Sequence, residues 1–380
     1  MPRLEAIGYK REELRSMDYG GNQVRIACLT LTLLAALSGT ASAQAGSLER
    51  TSGIRQEISE PAAASVSLQR PGRSGRGEAA PALSFSVLSD LHVTSWDGES
   101  QRKFTTALDD HAALRPASSL LVLNGDLTDG EAADYRTLLA ELVKHRHAPM
   151  HATMGNHEYY RMWRTPDGGM DTTRLNPDWS TRQAVQQFTQ LLGYDKPYHE
   201  LTLQGYHFLF ASGEAYRDVQ PDVKEDAYLS DKQFAWLADR LAAAGTESAT
   251  KPIFVFIHQP LPHTLDGTEF ERGIVQADRL NALLARYPQA IVFSGHTHWN
   301  LEKTRQIKEL GFLAVGSSSV RRIWNGRNEP GEQAASQSLV VDVYPDRVVI
   351  RGREHSLRRW AGPEYVRKTA LPQQSAAAAR

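Results

Sequence analysis

Cysteine is almost missing from this chain: Cys28 is the only one. That excludes an intrachain disulfide framework and any metal site built from several thiolates. An excess of charge of one sign is missing as well. Forty-three Lys+Arg against 44 Asp+Glu leave a formal charge of −1. No bulk field therefore recommends nucleic acid or an anionic membrane surface as a partner. Apolar runs long enough to cross a bilayer, ~20 residues, are absent too; Ile26–Leu37 falls well short. What remains is a globular composition, 41% hydrophobic and 23% charged, over a length of 380 residues that suits one large domain or two ordinary ones.

The short run Ile26–Leu37 has Arg25 before it and Ala41-Ser42-Ala43 after it. Basic flank, apolar stretch and A-x-A site together predict a secretory signal peptide over residues 1–43, cleaved after Ala43. Its basic region is long if translation starts at Met1 and of ordinary length if it starts at Met17. Cleavage removes Cys28, and an exported protein without cysteine suits a bacterial envelope; the predicted location is periplasmic or secreted. Residues 44–81 are rich in Ser, Gly, Ala, Arg and Pro without periodicity and read as a disordered linker. A domain over 82–362 and a flexible tail over 363–380 complete the expected organisation. The basic positions Arg351, Arg353, Arg358, Arg359, Arg367 and Lys368 read as a solvated face.

The body alternates strand and helix signals. Short apolar runs recur at Leu83–Leu88, Leu120–Leu123, Met150–Met154, Ile253–Ile257 and Ile291–Phe293, as buried strands do. Helical stretches are expected near Gln101–Leu114, Glu131–His145 (with Thr128 and Glu131 at capping-box spacing) and Ser230–Ala244, with Ser230 as cap and Gly245 as stop. Arg161–Trp179 reads as a polar loop insertion, and Tyr198–Ser212 as a hairpin turning at Gln204-Gly205. Strands Phe312–Val315, Ser338–Val343 and Arg347–Ile350 after the last strand–helix unit suggest a second sheet. Alternation of this kind argues for an α/β fold.

The chemistry sits just after the five strands. Asp90-Leu91-His92 follows the first, Asn124-Gly125-Asp126 the second, Gly155-Asn156-His157-Glu158 the third, His258-Gln259-Pro260 the fourth and Gly295-His296-Thr297-His298 the fifth. Ligands of open α/β sheets bind beyond the carboxyl ends of strands, so five such clusters converge on one crevice. Carboxylate, imidazole and amide donors without thiolate select divalent Mn, Fe, Zn, Ni or Co. Seven candidate ligands (Asp90, His92, Asp126, Asn156, His258, His296, His298) exceed the ~3 protein ligands of a mononuclear catalytic site. Two ions sharing one carboxylate fit that number.

These motifs, in this order, resemble those of the calcineurin-like metallophosphoesterases over roughly residues 83–300. The resemblance implies a four-layer α/β sandwich, two packed mixed β-sheets flanked by helices. It implies one metal held by Asp90, His92, Asp126 and His298, and a second held by Asp126, Asn156, His258 and His296. It further implies a metal-bridging hydroxide as nucleophile and His157 as no ligand but the catalytic group that stabilises or protonates the leaving oxygen. The Arg that follows Gly-Asp in Ser/Thr protein phosphatases of this family is absent here. The Tyr three residues after the bridging Asp of purple acid phosphatases is replaced by Asp129. The run Gly125-Asp126-Leu127-Thr128-Asp129-Gly130 is similar to the class III cyclic-nucleotide phosphodiesterases, although Glu158 stands where that branch carries Asp. The expected function is hydrolysis of phosphate esters, phosphodiesters first; a phosphomonoesterase and a non-catalytic metal- or phosphate-binding module are the alternatives. Tyr159, Tyr160 and Arg161 are candidate substrate contacts because they follow His157. Asp129 is weighed as a site residue or a helix cap, and Glu158 as a partner of His157 or a solvent-facing residue.

Overall fold

The computed structural model of the protein describes residues 80–270 and 273–369. The predicted signal peptide, nearly all of the predicted linker and the end of the predicted tail lie outside the described residues. Among the described residues there are two six-stranded sheets. In the first, β1 (Leu83–Leu88), β2 (Leu120–Asn124) and β3 (Met150–Thr153) run parallel. Antiparallel β10 (Gln337–Val343), β11 (Arg347–Glu354) and β12 (Arg359–Lys368) extend it on the β1 side. In the second, β5 (Tyr206–Phe210), β6 (Ile253–Phe256), β7 (Ala290–Ser294) and β9 (Leu313–Gly316) are parallel. Antiparallel β4 (His199–Leu203) and β8 (Ile307–Glu309) form its edges.

Side-chain alternation along each strand decides what fills the space between the sheets. Phe85 and Val87 of β1, Phe254 and Phe256 of β6, and Ile291 and Phe293 of β7 meet there. The Phe85 ring stands edge-on to Phe208 and Phe254, with centroids 5.2 and 4.9 Å away. Burying one such ring is worth roughly 1.5–3 kcal/mol, so this aromatic layer holds the two sheets, and hence the two halves of the site, in one frame. The alternate residues face helices. Leu121 and Leu123 pack with Phe104 and Leu108 of α1 (Gly98–Ala113) and Leu138 of α2 (Ala132–Lys144). Ile253, Val255 and Val292 pack with Phe234 and Leu237 of α4 (Asp231–Glu247) and Leu280 of α5 (Ala277–Leu284). The result is the expected sandwich of two mixed sheets flanked by helices.

Several local expectations are corrected. β12 continues through Pro363 to Lys368 and pairs with β11, so the predicted tail from 363 is partly an edge strand. Thr128 and Glu131 form no capping box. Thr128 Oγ1 accepts from Gly130 N at 3.1 Å, and Glu131, at the helix cap, makes no side-chain cap bond. Gly245 does not stop α4, which runs on to Glu247, while Ser230 does cap it by accepting from Gln233 N. Helix α3 (Thr181–Leu192) and helix α5 were not expected from the sequence. The basic stretch is not uniformly solvated. Arg353 is buried and pairs with Asp110 through two hydrogen bonds of 2.8 and 2.7 Å, and His355 adds a third at 2.9 Å.

Candidate metal centre

The five polar clusters leave the carboxyl ends of β1, β2, β3, β6 and β7, and the sandwich brings those ends together. Three donor groups result, each with its ligand atoms within 4.8 Å of one another: Asp90, His92, Asp126 and His298; Asp126, His258 and His296; and, beside the first, His92, Asp129 and His157. Asp126 belongs to the first two. His298 Nε2 lies 2.9 Å from Asp90 Oδ1, and His258 Nε2 3.1 Å from Asp126 Oδ2. The β1 and β2 carboxylates of one sheet are thus faced by imidazoles from β6 and β7 of the other. Asn156 Oδ1 meets His296 Nδ1 at 3.0 Å and so joins the second group.

The backbone is bent to make this possible. Asp90, His92, Asp126, His296 and His298 all have positive φ, between 45° and 70°. A non-glycine residue held there costs about 1–3 kcal/mol, and five of the seven candidate ligands carry that strain. Glycine is required beside them at two points. A Cβ on Gly125, itself at φ 81°, would collide with the His258 ring, and one on Gly155 with the Asp126 carboxylate.

Imidazole orientation suits a cation. His258 Nδ1 meets the Asn124 carbonyl and His298 Nδ1 the Arg322 carbonyl, both at 2.8 Å. A carbonyl only accepts, so each Nδ1 carries the hydrogen and Nε2 is presented to the carboxylates. His258 Nε2 is buried and makes no hydrogen bond despite its approach to Asp126. His92 Nε2 and His298 Nε2 face each other at 3.2 Å. Nitrogens converging on one another and on buried carboxylates are the arrangement that a divalent ion between them satisfies. The titration tendencies agree. Burial opposes charge on Asp126, yet the imidazoles of His258 and His157 hold its carboxyl well below the usual range. Burial likewise opposes charge on His258, and Asp126 and Asp90 raise its pKa nonetheless. The pocket calls for positive charge. These residues could hold divalent cations.

His157 stands beside the donors. Its Nδ1 is 2.8 Å from Asp129 Oδ1, and Nε2 is 3.9 Å from Asp126 Oδ2, so Asp129 fixes the ring with Nε2 toward the centre. Burial favours the neutral ring, but Asp126 and Asp129 push its pKa up to about 9. Asp129 is therefore a partner of His157 and not a helix cap. It lies three residues after Asp126 in a turn closed by Gly130, a signal visible in the sequence. Substituting Asp129 with Asn removes one of the charges that favour the imidazolium. The alkaline limb of the activity–pH profile should then move down by about one pH unit or more. A limb unchanged in the variant would remove Asp129 from this role.

Glu158 neither orients His157 nor faces solvent. Fully buried, it accepts from the N–H groups of Asp126 (3.0 Å), Leu127 (2.8 Å), Thr128 (3.0 Å) and Gly155 (2.7 Å), clamping the β2 and β3 loops together. Of the three candidate substrate contacts, Tyr160 alone touches the centre, stacking on His157 at 3.8 Å between ring centroids. Tyr159 is corrected to a packing residue: it is 2% exposed and its hydroxyl donates to the Gly213 carbonyl at 2.8 Å. Arg161 pairs with Glu131 and covers the Trp179 ring, away from the donors. Glu225 was not anticipated: its Oε2 accepts from Asn156 Nδ2 at 3.1 Å. No motif surrounds it.

Carboxylates, imidazoles and one amide at the ends of parallel strands from two packed sheets define a class of protein, an α/β sandwich built to hold divalent cations. Within it, the profile of the calcineurin-like phosphoesterases matches residues 83–300, and the chain belongs to that family. Among solved structures it is similar to a purple acid phosphatase from yellow lupin (Lupinus luteus) seeds, with a TM-score of 0.50 and 12% identity over 75% of this chain. The match spans about half of that phosphatase (53%). It is also similar to the phosphopantetheinyl hydrolase of Mycobacterium tuberculosis, with a TM-score of 0.36 and 17% identity over 63% of this chain and 90% of that one. No curated protein sequence matches.

Proposed function

We propose that this protein is an exported, metal-dependent phosphodiesterase working at a two-cation centre, with Asp126 shared between the ions. The observation that carries the reading is the pair of overlapping donor groups meeting at Asp126. Divalent ions bound there would supply Lewis acidity toward phosphoryl oxygens and lower the pKa of bound water. The chain's own residues do the rest. Asp90, His92, Asp126 and His298 would hold one ion, and Asp126, Asn156, His258 and His296 the other. Asp90, Asp126 and His258 are buried while His92, His157 and His298 are partly open, so substrate approaches across the imidazoles. His157, held by Asp129 with Nε2 toward the centre, delivers a proton from Nε2 to the departing oxygen. A non-catalytic binding module has no use for an acid positioned in this way.

The preference for diesters rests on the Gly125–Gly130 run and its similarity to the class III phosphodiesterases. The export assignment rests on Arg25–Ala43. The test is hydrolysis of bis-p-nitrophenyl phosphate against p-nitrophenyl phosphate by Mn²⁺-loaded protein. The expected result is faster turnover of the diester, abolished by chelator. Preference for the monoester would replace the substrate class, and turnover that survives chelation would overturn the metal dependence.

A further inference from the structure

Glu225 lies in the segment between β5 and α4, just after a short 3₁₀ turn at Pro221–Val223. Its backbone carbonyl accepts from Gln259 Nε2 at 3.1 Å, and Gln259 is the neighbour of the candidate ligand His258. Its carboxylate gathers four donor groups. Arg217 Nη2 reaches Oε1 at 2.6 Å, and the Tyr216 hydroxyl lies 3.1 Å from both oxygens. Asn156 Nδ2 and the Tyr160 hydroxyl reach Oε2 at 3.1 and 3.2 Å. An ionised carboxylate only accepts, so the nitrogen end of the Asn156 amide must face Glu225. The oxygen end is then turned toward His296, 3.0 Å away, and the second donor group. Tyr160 carries the same anchor to His157, on which its ring stacks.

We propose that Glu225 is a positioning residue: by fixing which end of the Asn156 amide points inward, it sets the affinity of the centre for the second of its two cations. The proposal rests on the two-cation reading given above. Asn is the one ligand whose two terminal atoms have nearly the same shape but opposite chemistry. Turned over, it would present an N–H₂ to the cation in place of a carbonyl oxygen. Arg217 and Tyr216 hold the carboxylate in place, so Glu225 is itself pre-oriented before any ion arrives. The first cation group, Asp90, His92, Asp126 and His298, makes no contact with Glu225 among the hydrogen bonds that hold it.

The test is calorimetric titration of Mn²⁺ into metal-free, otherwise intact protein, with the wild type, Glu225→Leu, Glu225→Gln, Asn156→Ala and the double variant Glu225→Leu/Asn156→Ala. Wild type should show two binding steps. Glu225→Leu should weaken one of them about 10–100-fold, the usual cost of losing an outer partner of a metal ligand, and leave the other. Glu225→Gln retains an acceptor for Asn156 Nδ2 and should restore most of the loss. In the Asn156→Ala background, Glu225→Leu should have no further effect on Mn²⁺ affinity. A loss that persists in that background, or two steps unaltered by Glu225→Leu, would overturn the role of Glu225 and leave the two-cation reading standing. A single step in the wild type would overturn that reading and this proposal with it.

Discussion

Asp126→Asn should leave a folded protein that retains neither cation at working concentrations and has lost its phosphoesterase activity. Asp126 is the one side chain in both donor groups, so its replacement is felt at both. An outer partner of a metal ligand is already worth about 10–100-fold in affinity; removal of a shared inner ligand should exceed ~10²-fold at each ion. Asn is the informative replacement because it preserves the shape. Its carbonyl oxygen can still accept from His157 N, as Asp126 Oδ1 does at 3.0 Å, and the four backbone donors clamped by Glu158 are untouched. What changes is charge. Asp126 is faced by His258, His157 and His92, and its anion is what makes the pocket attractive to dications. Metal analysis after exchange into chelator-free buffer is the readout. Two ions retained per chain would remove Asp126 from the bridging position.

His157→Ala should do the converse: both cations stay, and turnover falls by ~10²–10⁴-fold, the range expected for loss of a general acid. The ring falls in a donor group with His92 and Asp129 but contributes no atom to the two groups that meet at Asp126; its expected contribution is a proton at Nε2. The size of the loss should therefore depend on the leaving group. An alkyl alcohol leaves as a strong base and needs that proton, whereas p-nitrophenolate is a stable anion and needs it far less. Alkyl diesters should show the full decrease and nitrophenyl diesters a much smaller one. Equal decreases for both, or loss of metal along with activity, would mean that His157 acts as a ligand or a structural residue. The stacked Tyr160 gives a further reason to expect the proton donor to be held rigidly.

The distribution of what was legible in the sequence follows from physical range. Strands β1, β2, β6 and β7 could be read because each is a compact apolar run, buried along its whole length and ended by polar residues, and the half-buried edge strand β3 because Gly155-Asn156-His157 follows it. The seven candidate ligands could be read because every one lies within a few residues of such an end. Asp129 was ambiguous because the same Asp, just before a helix, serves equally well as a cap; only the 2.8 Å approach to His157 decides. Glu158 was undecided because its four partners are backbone N–H groups, which leave no trace in side-chain identity. Helix α3 carries sound local signals, with Ser180 as cap, Ala184, Val185, Phe188, Leu191 and Leu192 on one apolar stripe and a left-handed Gly193 at its end, and was readable from the sequence. Glu225 is 69 residues from Asn156 in the chain. Its role comes from tertiary placement alone, and no spacing rule reaches that far. The left-handed backbone at five ligands is likewise invisible locally, since Asp and His in the sequence carry no mark of φ.

The most direct test of the account is anomalous diffraction from crystals of the Mn²⁺-loaded protein. The account predicts two peaks, about 3.5–4 Å apart as in two-metal hydrolytic sites, with Asp126 between them, Asp90, His92 and His298 around one, and Asn156, His258 and His296 around the other. A single peak, or two peaks with Asp126 touching only one, would contradict it.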